Sequence, residues 1–267
     1  MTRREAADWD GAAYHRVSSP QLEWGRKVLA RLTLAGDETV LDAGCGSGRL
    51  TADLLDRLPR GRALAVDLSE SMLREARATL ARQIARERAA TVRADLTALP
   101  FAAAADAVFS TATFHWIKDH DALFRSLHAA LRQGGRLVAQ CGGGPNLARA
   151  HALTERVMHE HPYAAYFGEW REPWHFASPD DTAARLRAAG FVDVETWLEE
   201  APTPFPGPAE YRAFMKTVVL RNHLARLPDE RQRERFLDDV TAVSGRDCPA
   251  YHLDYWRLNI SARRPAG

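Results

Sequence analysis

Three glycines at alternate positions, Gly44, Gly46 and Gly48, follow an acid, Asp42, in the run Val40-Leu-Asp-Ala-Gly-Cys-Gly-Ser-Gly-Arg-Leu-Thr51. Val40 and Leu41 close an apolar run, and Leu50, Leu54, Leu55 and Leu58 follow at helical spacing, so the order is buried strand, glycine loop, helix. Glycines at such a turn let the backbone reverse sharply and approach a ligand that a Cβ would keep away. The chemistry this prepares is the cradling of a nucleotide-like cofactor. A dinucleotide fingerprint would need a third glycine three residues after the second, where Arg49 stands. A phosphate loop would need Gly-Lys-Ser/Thr at its end, and no lysine is there. Two further acids close later apolar strands. Asp67 stands 25 residues after Asp42, near the ~20 expected of a ribose-binding carboxylate, and Asp95 follows it. His115 and Trp116 come just after a fourth apolar run, Ala105-Asp-Ala-Val-Phe-Ser-Thr111.

The elements that must position these groups read as an alternation of strands and helices. Ser18-Ser19-Pro20 is a helix start, and Leu22, Val28, Leu29 and Leu32 give 20–34 an apolar face. A segment placed just before the glycine strand can fold back over a bound ligand, which makes Tyr14 and Trp24 either core residues or a lid. Arg62–Asp67 is a second strand, and Ser69 caps a helix with Met72, Leu73, Ala76, Leu80 and Ile84 on one face. Met72 can pack on a ligand ring or in the core. Thr91–Leu96 is a third strand and 105–111 a fourth. In open α/β sheets ligands bind beyond the carboxyl ends of strands, so His115 and Trp116 are expected on the substrate side, against a capping or core role for the histidine. A helix from Asp119 or His120 should stop at Gln133-Gly134-Gly135, with Arg136–Gln140 as the fifth strand.

After Cys141 the pattern changes. Gly142–Pro145 is an exit loop, 146–160 a helix, and Tyr163, Tyr166, Phe167, Trp170, Trp174, His175 and Phe176 form a dense aromatic tract suggestive of a substrate-side cap. Ser178-Pro179 opens another helix and Phe191–Trp197 is a sixth strand. Pro202–Pro208 is a stiff linker, 209–224 and 229–243 are helices, and His252–Arg263 is the last strand. The expectation is one α/β domain over 1–267 with cap insertions at about 142–177 and 201–250.

With the glycine loop, Asp67, Asp95 and Phe114-His115-Trp116 in view, the chain resembles the Rossmann-like S-adenosylmethionine-dependent methyltransferases. It is most similar to the trans-aconitate methyltransferase group, which esterifies small carboxylic acids. The resemblance covers roughly residues 9–141 by motif and the rest by order of elements only. It implies a mostly parallel seven-stranded sheet with helices on both faces and the seventh strand antiparallel between five and six. It implies S-adenosylmethionine held by Asp42, Gly44, Cys45, Gly46, Gly48, Asp67, Leu68, Met72, Asp95, Leu96, Ser110 and Thr111, with Tyr14 and Trp24 over the methionine end. Asp67 would accept from the ribose hydroxyls and Asp95 from the adenine amino group. The acceptor would be a small-molecule oxygen, a carboxylate first, met by His115 and Trp116, with Trp170 and the guanidinium of Arg16, Arg171 or Arg221 around it. The alternative is a phenol or other hydroxyl with His115 as general base. A non-catalytic cofactor-binding protein is the remaining possibility. The aromatic tract suggests an acceptor body larger than a small tricarboxylate.

Composition bounds the setting. Net charge is +1 over 267 residues, so no global field draws the chain to nucleic acid or an anionic membrane. The place after the fourth strand holds Thr113-Phe-His-Trp, where base methylators carry Asn/Asp-Pro-Pro-aromatic. Lysine occurs only at 27, 118 and 216, the other basic residues being arginine. Cys45, Cys141 and Cys248 are widely separated, which supports neither a disulfide framework nor a thiolate metal site and fits a cytoplasmic enzyme. No apolar run approaches the ~20 residues of a membrane span. Monomer and homodimer both remain open.

Overall fold

A near-continuous apolar run along a strand requires cover on both faces, and that requirement organises this chain. A computed structural model describes residues 19–267. Among these, strands β1 (Thr39–Ala43), β2 (Arg62–Asp67), β3 (Ala89–Arg93), β4 (Ala105–Thr111), β5 (Leu131–Gly142), β6 (Val192–Glu200) and β9 (Trp256–Arg263) form one sheet in the order β3-β2-β1-β4-β5-β9-β6. The pairs β1–β2, β2–β3, β1–β4 and β4–β5 are parallel. The last strand therefore lies between the fifth and sixth, as the resemblance implies. The chain runs outward from β1 through β2 to β3, then returns to β4 on the other side of β1. That reversal opens a crevice at the carboxyl ends of β1 and β4, the place where open α/β sheets bind ligands.

Successive residues of the central strands feed two separate cores. Val40, Ala63, Ala65, Ala107 and Phe109 join one cluster with Val28 and Leu29 of the helix Ser19–Arg31, Leu54 and Leu55 of Arg49–Asp56, and Leu73 and Ala76 of Glu70–Thr79. Leu41, Val66, Val108, Leu137 and Ala139 join the other with Leu123, Phe124 and Leu127 of His120–Ala130 and Leu186 of Pro179–Ala188. All five residues of β1 are buried. Each fully buried leucine in such a layer contributes about 1.5–3 kcal/mol, so the glycine loop leaves one of the most firmly held strands.

Three expectations need correction. The helix expected to end at Gly134-Gly135 ends at Ala130, and β5 already begins at Leu131. Ala105 pairs with Leu131 but Ala107 with Arg136, so residues 132–135 bulge from the ladder, and Gly134 takes the φ of +73° that the bulge needs. The single helix expected over 209–224 is three pieces: Pro208–Phe214, a π turn at Met215–Val219, and Arg221–Leu224. There the Leu220 N–H bonds Met215 O at 2.7 Å, while Thr217 Oγ1 donates to Ala213 O at 3.0 Å and competes for the helix ladder. The strand expected over 252–263 splits into β8 (His252–Leu253), which pairs antiparallel with β7 (Thr203–Pro204), and β9.

The chain divides into two compact units. Among the described residues the first comprises those up to Gly144, Trp174–Leu198 and Leu258–Gly267, and contains the sheet core described above. The second comprises Pro145–Pro173 and Glu199–Arg257. Its core joins both of its segments: Tyr163 is fully buried with its ring 5.0 Å from that of Phe236, and its hydroxyl donates to Asp239 Oδ2 at 2.6 Å.

Candidate active site

The loop after β1 is tied to the tip of β2 through backbone groups. Gly44 and Cys45 N–H both donate to Val66 O, at 2.8 and 2.9 Å. Gly46 N–H donates to Asp67 Oδ2 at 2.9 Å, and Ser69 N–H to Asp67 Oδ1 at 2.9 Å. Asp67 thus joins the loop to the start of the next helix, where Ser69 Oγ caps Met72 N–H. A carboxylate offers about four acceptor positions, so one that holds two amides can also hold a diol.

Gly44 and Gly46 show why this loop is glycine. Gly44 has φ of +82°, and a Cβ there would collide with the Thr113 side chain. Gly46 has φ of +53°, and a Cβ there would meet nothing within 4 Å, so its backbone borders open space. Next to Asp67, Leu68 is 61% exposed, one of the few large apolar residues left in solvent among the described residues. At the tip of β3, Asp95 Oδ1 accepts from both Thr97 N–H and Thr97 Oγ1, at 2.9 and 2.8 Å, leaving Oδ2 turned to no donor among the described residues. An open glycine face, an acid suited to a diol, an exposed apolar side chain and a second acid form a set of donors, acceptors and apolar surface that can hold the ribose and adenine of an adenosine group.

Of the other expected cofactor residues, Asp42, Cys45, Met72, Leu96 and Ser110 have buried side chains. Asp42 is 2% exposed and accepts Thr51 Oγ1–H at 2.6 Å. Burial pushes its carboxyl up to about 7, with Asp67 adding and Thr51 opposing. Burial likewise pushes the Cys45 thiol up, and its side chain lies in the core. Ser110 is buried and donates to Ala43 O at 2.6 Å. Met72 and Leu96 are buried, and Thr111 is half-buried with its carbonyl accepting Thr113 Oγ1–H at 3.0 Å. For Cys45 and Ser110, the group left to face a ligand is backbone. Trp24 is half-buried on its helix, beside Gly25, where an added Cβ would collide with Leu50. Tyr14 and Arg16 lie outside the described residues.

His115 and Trp116 sit on a short 3-10 turn, Phe114–Trp116, just past β4. The His115 ring is half-buried, and its Nδ1 accepts the Gly142 N–H from the end of β5 at 3.2 Å. A nitrogen that accepts carries no proton, so the neutral ring carries it on Nε2. Around it stand aromatic rings: Trp116 at 5.1 Å, Phe176 at 5.8 Å, and Trp174, which is 6.1 Å from Trp116 and stacks on Phe176 at 5.9 Å. Trp174, His175 and Phe176, expected in a cap, belong to the first unit. Trp170, Arg171 and Arg221 belong to the second, where the Trp170 ring stacks on His223 at 4.3 Å, Arg171 is exposed and Arg221 half-buried.

A family described as methyltransferase domain matches residues 40–135. The trans-aconitate 2-methyltransferase of Methylobacterium radiotolerans is 30% identical over 243 residues, 90% of each chain. The chain belongs to the S-adenosylmethionine-dependent methyltransferases. The trans-aconitate 2-methyltransferase of Methylobacterium nodulans is 33% identical over 196 residues, 73% of this chain and 69% of its own. Phosphoethanolamine N-methyltransferase 2 of Haemonchus contortus, solved with phosphomonomethylethanolamine and S-adenosylhomocysteine, shares the fold at a TM-score of 0.60 and 18% identity. That likeness covers 96% of this chain and 57% of the other.

As a methyltransferase it carries no group of three or more metal-ligating side chains among the described residues, and no described helix is long and apolar enough to cross a membrane. Two groups that shape the site carry no signal in the sequence: Thr113, packed over the glycine loop, and Gly142, whose N–H meets His115. Gly142 is 27 residues from His115 and carries no side chain, so no local pattern could have identified it.

Proposed function

We propose that this methyltransferase esterifies a small carboxylic acid, with His115 donating a hydrogen bond to the acceptor carboxylate. The single observation that carries the reading is the Gly142 N–H to His115 Nδ1 bond of 3.2 Å. A ring with Nδ1 engaged as acceptor offers Nε2–H as a donor. A carboxylate, ionised above about pH 4, needs no base and gains from a donor that orients one oxygen. A phenol would need Nε2 bare, which for a neutral ring means moving the proton to Nδ1 and setting it against the Gly142 N–H. The two relatives named as trans-aconitate 2-methyltransferases support the same acceptor class.

When bound, S-adenosylmethionine supplies an activated methyl group. In this reading Asp67 takes the ribose hydroxyls, Leu68 and Asp95 the adenine, and the backbone of Gly44–Gly46 borders the rest of the cofactor. Trp116, Trp174 and Phe176 wall the acceptor side and exclude water, which strengthens the hydrogen bond from His115.

The test is S-adenosylhomocysteine release from a panel of carboxylic acids, with trans-aconitate as first probe, and phenols. Acids should turn over, with a rate flat from neutral pH down toward the acceptor's own pKa. His115→Ala should lose about 10–100-fold in kcat/KM, the worth of one hydrogen bond to a charged group, and His115→Gln should recover part of it. Turnover of phenols alone, with a rise through neutral pH that vanishes in His115→Ala, would make the histidine a base and overturn the proposal.

A further inference from the structure

The turn that carries His115 is gripped by groups with no part in the reading above. The Phe114 carbonyl accepts the Ile117 N–H at 3.0 Å and also faces His120 Nε2 at 3.0 Å. A carbonyl only accepts, so His120 donates, and its proton is on Nε2. His120 is 3% exposed, and its Nδ1 is buried with no hydrogen-bond partner among the described residues. Packing alone gives no reason for an imidazole at this position, since a buried unpaired acceptor costs more than an apolar side chain of the same shape.

The next carbonyl is held as well. His115 O accepts the His175 N–H at 2.7 Å. His175 is itself fixed: its Nε2 faces Arg185 Nη1 at 3.2 Å, and Arg185 lies 3.7 Å from Asp121. Its ring meets that of His120 edge-on at 4.7 Å, and Lys118 Nζ donates to the neighbouring Trp174 O at 2.7 Å. Burial lowers His120 to about 4, so it stays a neutral donor through the working pH range. Burial also lowers His175, with Arg185 and Lys118 acting in the same direction.

We propose that His120, and His175 fastened by Arg185, are positioning residues: by holding the carbonyls of Phe114 and His115 they set the backbone of the turn. That backbone sets the direction of the His115 side chain, and so whether its Nδ1 meets the Gly142 N–H. The inference deepens the reading of His115 as an oriented donor and rests on it for its catalytic meaning.

The ring nitrogens of His115 in the full-length protein report on this directly, by long-range proton–nitrogen correlation spectroscopy on nitrogen-labelled wild type, His120→Ala, His120→Gln and Arg185→Ala. Wild type should show an imine-type Nδ1 and a protonated Nε2. In His120→Ala and Arg185→Ala the two signals should move toward each other as the tautomers mix. The Gly142 amide should exchange about tenfold faster while core amides such as Leu137 keep their rates. Glutamine places an amide N–H where Nε2 stands, so His120→Gln should restore the wild-type pattern, and it remains informative if the alanine variant folds poorly. S-adenosylhomocysteine affinity should stay within about twofold throughout, because the polar partners of these side chains are Phe114 O, His175 and Asp121 and not the glycine loop. Unchanged His115 signals in both His120→Ala and Arg185→Ala would overturn the inference. A wild-type ring protonated on Nδ1 would instead overturn the donor reading, and positioning would still be decided by whether the variants alter that ring.

Discussion

At the scale of residues, Asp67 carries two tasks at once. It anchors Gly46 N–H and Ser69 N–H, and in the proposed reading it also takes the ribose hydroxyls. Asp67→Ala should therefore weaken S-adenosylhomocysteine by at least the ~1.5–3 kcal/mol of a hydrogen bond to a charged group, about 10–100-fold, measured by calorimetry. Full affinity in the variant would remove the ribose assignment. Asp67 was legible in the sequence because an acid ending an apolar strand at that distance from a glycine loop has few other uses. Asp42 was legible only as part of the same motif: its burial and its bond to Thr51 depend on the helix that folds back over it. The orientation of His115 was not legible at all, since it is set by an amide from another strand.

At the scale of elements, the glycine loop and the turn after β4 share a surface. Thr113 packs where a Cβ on Gly44 would be, and its Oγ1 lies 3.3 Å from Gly44 O. Two substitutions with the same backbone cost should then behave differently. Gly46→Ala meets open space, so it should fold with a loss of about 1–2 kcal/mol from the left-handed conformation while cutting S-adenosylhomocysteine affinity by about tenfold or more. Gly44→Ala adds a collision with Thr113, worth about 1–3 kcal/mol more, and should also disturb His115, visible as faster Gly142 amide exchange. Denaturant unfolding and calorimetry on the pair check both parts, and equal stability losses would contradict the packing described. Strand and helix order was readable from apolar periodicity. The bulge at 132–135 and the π turn at Met215–Val219 were not, because ladder register and side-chain competition for backbone carbonyls lie outside that pattern.

At the scale of the whole molecule, buried titratable groups set how stability follows pH. Burial lowers His120 and His151 to about 4 and His223 to about 3, from an ordinary 6.5. Below pH 6.5 the unfolded chain takes up protons that these native rings refuse, so their contribution is complete above pH 6.5 and is lost as pH falls toward 4. Asp42 works the other way. With its native pKa pushed from 3.8 to about 7, it favours the fold most at acid pH, and that contribution fades as pH rises from about 4 to about 7. Three protons against one leave a net uptake of about two on unfolding, a slope on the order of 2–3 kcal/mol per pH unit between pH 6 and 5. Unfolding midpoints across a pH series should fall on acidification through that window, and midpoints that rise there would show that Asp42 outweighs the histidines. His151 and His223 lie in the second unit, and the path of the chain constrains how that unit can be altered. It is built from two stretches, Pro145–Pro173 and Glu199–Arg257, whose joint core pairs Tyr163 from the first with Phe236 and Asp239 from the second. A chimaera that borrows only one stretch from a relative would therefore mate foreign halves of a single core, so grafting must transplant both or neither.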